Sequence, residues 1–246
     1  MLPSFDKYSI HARLVPAFLV LLPLGLSIVC LFPEKFAGWD FIVWLGTSSG
    51  LAVLLEQLAR DQGKRKERRL FELLGGKPTT VMLRHHDSPL GNVTVQRYHT
   101  KLKSLIPNIK MPSPENERKD PSGADEVYRS CTAYLIARTR NKKAFSMVAE
   151  ENANYGFRRN LWAMKPVAIV VLLISTLVAS TQIHPNWLDP GKLKPIVVIA
   201  LAFNLVMLLV WLSLIRPTWI RPAAEAYARQ LLSACDQLPG TERKKV

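Results

Sequence analysis

Four stretches without a charged side chain, Leu14 to Phe32, Phe41 to Leu55, Val167 to Ile183 and Ile196 to Ile215, limit what this chain can fold into more than any other feature. A hydrocarbon core of about 30 Å needs roughly 20 helical residues, a length three of the blocks approach directly. The second holds only 15 residues between Asp40 and Glu56. It reaches about 36 Å if it is extended over 36–59, which leaves both carboxylates near the headgroups. A buried helix of a soluble core is the alternative for so short a run, and three other spans make it unattractive. With 48% hydrophobic and 21% charged residues, the chain is too apolar for disorder and too charged to lie wholly within lipid. The expected class is all-α: a polytopic membrane protein with four transmembrane helices, at about 14–32, 36–59, 166–184 and 195–216, and a cytosolic helical domain between spans 2 and 3.

Charge sets the expected orientation. The formal net charge is +14, and residues 60–165 carry 22 basic against 11 acidic side chains. The connector between the first two spans is net −1 and that between the last two net +1. Basic residues collect on the side that is not translocated, so the long middle segment belongs in the cytoplasm. An even number of spans brings both termini to the same side. Arg13 before an apolar run resembles a secretory signal, but no Ala-x-Ala-like site ends the run, and a retained helix is expected. Trp39 and Trp187 are expected at the external interface and Trp162 and Trp219 at the internal one. Cys30, Cys131 and Cys235 form no CxxC and no disulfide framework.

The expected organisation is a transmembrane hairpin over 1–59, a basic α-helical domain over 60–165, a second hairpin over 166–216, and an amphipathic helix with a basic tail over 217–246. Strong helix formers after Arg60 predict that the second span continues as a basic stalk until Gly75-Gly76, with Gly63 a local weakness. Lys77-Pro78-Thr79-Thr80 restarts a short helix, and Val95, Tyr98, Leu102 and Leu105 share a helical face. Pro107, Pro112, Pro114 and Pro121 mark a solvated connector. Ser122 with Asp125 is a capping-box variant for the next helix, and Phe145, Val148, Ala149 and Asn152 lie on a helix feeding the third span. The last helix, starting with Pro222 at its first position, either lies on headgroups or packs on the cytosolic domain.

Few motifs carry chemistry. Gly75-Gly76-Lys77-Pro78-Thr79 lacks the glycine of a P-loop, because Phe71 stands in its place, and reads as a helix stop and start or as a nest of N–H groups for a phosphate. His85-His86-Asp87 with His99 has no metal-ligand spacing. No nucleophile, acid–base pair or cofactor motif is present, so neither an enzyme nor a cofactor is expected. In the second span Thr47 and Ser49 lie among small residues that suit helix packing or a pore, and Asn204 in the last span needs a hydrogen-bond partner on another helix or in a wet cavity. The segment from Glu150 to Asn160 combines Tyr155, Arg158 and Arg159 with amides. Such a mixture can hold phosphates and stack bases, or anchor the chain to anionic lipid. Arg65, Arg68 and Arg69 on the stalk invite the same two readings.

Leu74 to Arg84, Arg97-Tyr98-His99, Ala124 to Tyr128, Arg138-Thr139-Arg140 and Glu151 to Asn160 resemble a group of bacterial four-span proteins. The layout is similar to the membrane channel effector of Hailong-type antiphage systems. That resemblance implies a channel controlled by a DNA oligomer that a partner nucleotidyltransferase makes; it assigns no binding residue.

Together these readings predict an oligomeric inner-membrane ion channel, a homo-oligomer with four subunits as the first expectation. A nucleotide or single-stranded oligonucleotide would gate it through Arg65, Arg68, Arg69, Arg84, Arg97, Tyr155, Arg158 and Arg159, with Thr47, Ser49 and Asn204 at the pore or in helix packing. The competing expectation is a nonconducting membrane scaffold that recruits an acidic partner or anionic lipid.

Overall fold

A computed structural model describes residues 10–31, 39–183 and 194–239, with side chains at all of these except 30, 39–49 and 51–52. Helices are the regular structure of the described residues, with no strand among them. The chain divides into two compact units, residues 1–67 with 156–219 and residues 68–155 with 220–246.

In the first unit a π-helical turn, Ile10–Leu14, leads into α1, Val15–Leu31. Helix α2, Trp39–Leu73, and helix α7, Ser146–Ser180, are each 35 residues long, about 52 Å at 1.5 Å per residue. Helix α8 spans Pro195–Ser213. Three helical segments among the described residues, Ile10–Val29, Ser146–Ser180 and Pro195–Ser213, are long and apolar enough to cross a membrane. Ala17, Val20, Leu55, Ala59, Leu161, Met164, Ala168, Leu172, Trp211 and Ile215 form the core of this unit. Its alanines let backbones approach, as bundles in lipid require where no hydrophobic force draws helices together. The side chain of Trp39, and Trp187 altogether, lie outside the described residues.

The second unit is built from the end of α2, then α3, Pro78–Leu83, α4, Asn92–Leu105, α5, Pro114–Lys119, α6, Pro121–Arg138, the first turns of α7, and α9, Pro217–Ser233, from Ile220 onward. Its core gathers Met82, Leu83, Tyr98, Leu102, Leu105, Tyr128, Cys131 and Leu135 with Ala228, Leu231, Leu232 and Cys235. The apolar face of α9 is therefore spent on this core, the second of the two positions open to it.

Three local expectations are corrected. The cap of α6 is Asp120, two residues before Ser122, and its carboxylate accepts from the N–H of Gly123 at 2.9 Å; Pro121 takes the first helical position. Pro217 takes the first position of α9 and leaves Pro222 inside the helix, where it removes one backbone bond near the open N-terminal turn. The proline-rich connector is not wholly solvated, because α5 lies within it and buries Glu117.

Gly63 is a contact rather than a weak point. A Cβ there would lie 2.3 Å from Oδ1 of Asn160, a side chain only 1% exposed that also donates to the carbonyl of Ala12 at 2.8 Å. Helix propensity alone would make Gly63→Ala stabilising by about 1 kcal/mol. Overpacking against a fixed side chain costs about 1–3 kcal/mol instead. Thermal unfolding in neutral detergent should show Gly63→Ala lowering the midpoint; a raised midpoint would mean that Asn160 is free to move.

Candidate functional site

The basic stretch of α2 keeps its charge available. Lys64, Arg65, Arg68 and Arg69 are exposed, and among the described residues neither Arg65 nor Arg69 has an ion-pair partner. Arg68 meets Glu72 at 3.3 Å on the surface. Helical spacing sets Arg65 and Arg69 one turn apart, a like-charge arrangement that costs a few tenths of a kcal/mol unless an anion offsets it.

The other cations proposed for ligand contact are engaged within the fold. Arg84 and Asp125 form a two-pronged pair at 2.9 and 2.6 Å, and the hydrogen bond to Asp125 raises the pKa of the guanidinium further. Arg97 is more exposed, 3.3 Å from Asp236 and over the ring of Tyr98. Arg158 donates to the carbonyl of Trp219 at 2.8 Å and lies 5.0 Å from the centre of its ring. Arg159 reaches Glu67 at 2.9 Å and Asn160 at 3.2 Å. Tyr155 is buried, its ring parallel to that of Tyr227 at 6.1 Å. The segment from Tyr155 to Asn160 is thus used mainly for packing and for satisfying carbonyls, and its residues are held by different partners on different elements.

At the glycine pair, the N–H groups of Leu74, Gly75 and Gly76 donate to carbonyls of Leu70, Phe71 and Glu72. Gly75 and Gly76 take φ of 82° and 131°, conformations that glycine adopts without strain. With their donors turned back into the helix end, these three residues form a stop and no phosphate nest.

Asn204 is 2% exposed, and its amide is satisfied inside this one chain. Its Nδ2 donates to Oγ of Ser175 on α7 at 2.9 Å and reaches Oγ of Ser27 on α1 at 3.5 Å, while the two hydroxyls are 2.8 Å apart. Asn204 thus packs helices, and it needs neither another subunit nor a water-filled pore to be satisfied. Thr47 and Ser49 lie on the helical backbone of α2, and their side chains are outside the described residues.

A buried polar network that periodicity did not reveal surrounds Glu117. Its carboxylate accepts from the backbone N–H of His85 at 3.0 and 3.1 Å, from that of His86 at 3.3 Å and from the hydroxyl of Tyr128 at 2.5 Å. Burial opposes the charge, but these donors prevail and hold the carboxyl below its ordinary pKa. His99 packs edge-on against His85 and makes a 2.7 Å hydrogen bond from Nε2 to the carbonyl of Leu83. Ser113 ahead of Pro114, a helix-start pair, was the one available signal for α5. No group of three or more His, Cys, Asp or Glu able to hold a metal is found among the described residues.

Comparison with protein-family models, with curated proteins and with solved structures finds no match.

Two measurements check this geometry. Asn204→Leu should lower the unfolding midpoint in detergent by the equivalent of about 1–2 kcal/mol, because two hydroxyls lose a shared partner; an unchanged midpoint would make the knot energetically idle. Burial lowers the pKa of His99, so the unfolded chain takes up a proton first as pH falls. Stability should therefore decline below about pH 6.5. His99→Gln, which retains a donor for Leu83, should flatten the decline just below that pH, and an unaltered profile would show that other groups cause it.

Proposed function

We propose that the chain is a ligand-gated ion channel of the bacterial inner membrane, an effector of antiphage defence that depolarises the cell when it opens. The observation that carries this reading is that α2 and α7 are each a single helix of 35 residues joining an apolar stretch to a charged one, α7 with Pro166 inside it at the junction. A ligand with unequal affinity for two arrangements of the basic segment then biases two arrangements of the apolar helices. The ligand is a nucleotide or short single-stranded DNA oligomer made by a partner nucleotidyltransferase, and Arg65, Arg68 and Arg69 are its first contacts, with Arg97 the next most available. The basic segment faces the cytoplasm and the subunits form a homo-oligomer.

The outer faces of α7 and α8 are apolar. Val170, Leu173, Leu177, Ile199, Leu205 and Leu209 are exposed on them and suit lipid. Exposed apolar side chains lie on α1 (Phe18, Leu22, Leu26) and on α2 (Val53, Leu54, Leu58) as well, so Thr47 and Ser49 of the proposed second span are candidates for the conducting path by residue type. A second reading, a nonconducting scaffold for an acidic partner or anionic lipid, is favoured by the internal satisfaction of Asn204.

Ion flux from vesicles holding the full chain distinguishes the two. Under the channel reading flux changes when a short single-stranded DNA is added, and binding weakens with salt at a slope of about −0.7 per neutralised phosphate. Arg65→Gln and Arg69→Gln should each reduce the slope by about 0.7. Flux that ignores every added oligonucleotide would overturn the gating proposal, and absence of flux under all conditions would leave the scaffold.

A further inference from the structure

The C-terminal end of α8 collects positive charge that the ligand reading does not use. Nζ of Lys165, on α7, donates to the carbonyls of Leu212 and Ile215 at 3.3 and 3.1 Å. Nε of Arg216 donates to the same Leu212 carbonyl at 3.3 Å. Two cations thus converge on one oxygen, where the end of a helix presents partial negative charge. Neither has a carboxylate partner among the described residues. The carbonyls occupy only part of their hydrogen-bonding capacity, because an ammonium has three donors and a guanidinium five.

The neighbourhood identifies a chemistry that would complete the pair. Trp162 precedes Lys165 by three residues and Trp219 follows Arg216 by three, both partly exposed, at the spacing and with the amphipathic character of interfacial anchors. Beyond the cations, Val167 and Val170 on α7 and Leu209 and Leu212 on α8 expose apolar surface. A headgroup phosphate against Lys165 and Arg216 would leave its acyl chains beside those side chains.

We propose that Lys165 and Arg216 form a headgroup site for an anionic phospholipid of the leaflet on the basic side. The site binds one phosphodiester between ammonium and guanidinium and ties the end of α8 to the start of the apolar part of α7. It rests only on these helices lying in a membrane and is independent of channel gating. Each juxtamembrane cation is worth about a fivefold preference for anionic over zwitterionic lipid, hence about thirtyfold for the pair.

The test uses the full chain in phosphatidylcholine vesicles containing graded fractions of brominated phosphatidylglycerol or, separately, brominated phosphatidylcholine, with quenching of tryptophan fluorescence as the readout. In the unmodified protein, quenching should saturate at a much lower fraction of the anionic lipid. Lys165→Gln with Arg216→Gln should bring the two curves together, Lys165→Arg with Arg216→Lys should keep them apart, and Lys103→Gln with Lys110→Gln should leave the preference intact. Coincident curves for the unmodified protein would overturn the proposal, as would a preference that survives Lys165→Gln with Arg216→Gln. Displacement of the lipid by millimolar glycerol phosphate would also count against it, since the site would then take a soluble anion and need no bilayer.

Discussion

Hydrocarbon supplies no hydrogen bonds, so a polar side chain placed among apolar helices must find its partners within the protein. The contact of Asn204 with Ser175 and Ser27 meets that requirement and joins α8, α7 and α1. In an interior of otherwise interchangeable aliphatic side chains, it sets both rotation and axial register, because sliding any one helix by a turn would leave an amide or a hydroxyl unpaired. The small residues around it let the helices come close enough for the contact to form. Gly63 and Asn160 do the same further along α2 and α7, where the carbonyl of Ala12 in the π-helical turn accepts a hydrogen bond from the amide of Asn160.

Net charge and available charge are different quantities in this molecule. The chain carries +14, but Arg84, Arg158 and Arg159 are committed to a carboxylate, to carbonyls and to an indole face. These contacts fix geometry. Among the described residues, the exposed face of α2 at Arg65, Arg68 and Arg69 is one cluster open to an anion, and the pair at the end of α8 is another. The first suits a phosphate polymer arriving from solution, and the second a phosphate held at the depth of a headgroup, so the two surfaces need not compete.

Much of the fold was legible because hydrophobic periodicity and uncharged runs report burial directly. The face of Val95, Tyr98, Leu102 and Leu105 is buried as its spacing requires, and Gly75-Gly76 ends α2. Glu117 was not legible, since a carboxylate in a proline-rich segment looks the same whether it meets water or three donors from distant positions. Arg158 and Arg159 were ambiguous for a related reason: a guanidinium that meets a carbonyl or a carboxylate within the fold and one that awaits a phosphate have identical sequence signatures. Asn204 announced its need for a partner but could not say whether that partner lay in the same chain.

The proposed function requires a basic helical unit on the cytoplasmic side of membrane-spanning helices. A cysteine placed at Lys103, on the exposed face of α4, in a chain whose own three cysteines are replaced, reads this directly. With a membrane-impermeant maleimide, labelling is expected only after the inner membrane is permeabilised, while a cysteine at Asn186, between the last two expected spans, is labelled with that membrane intact. Labelling at position 103 with the inner membrane intact would contradict it.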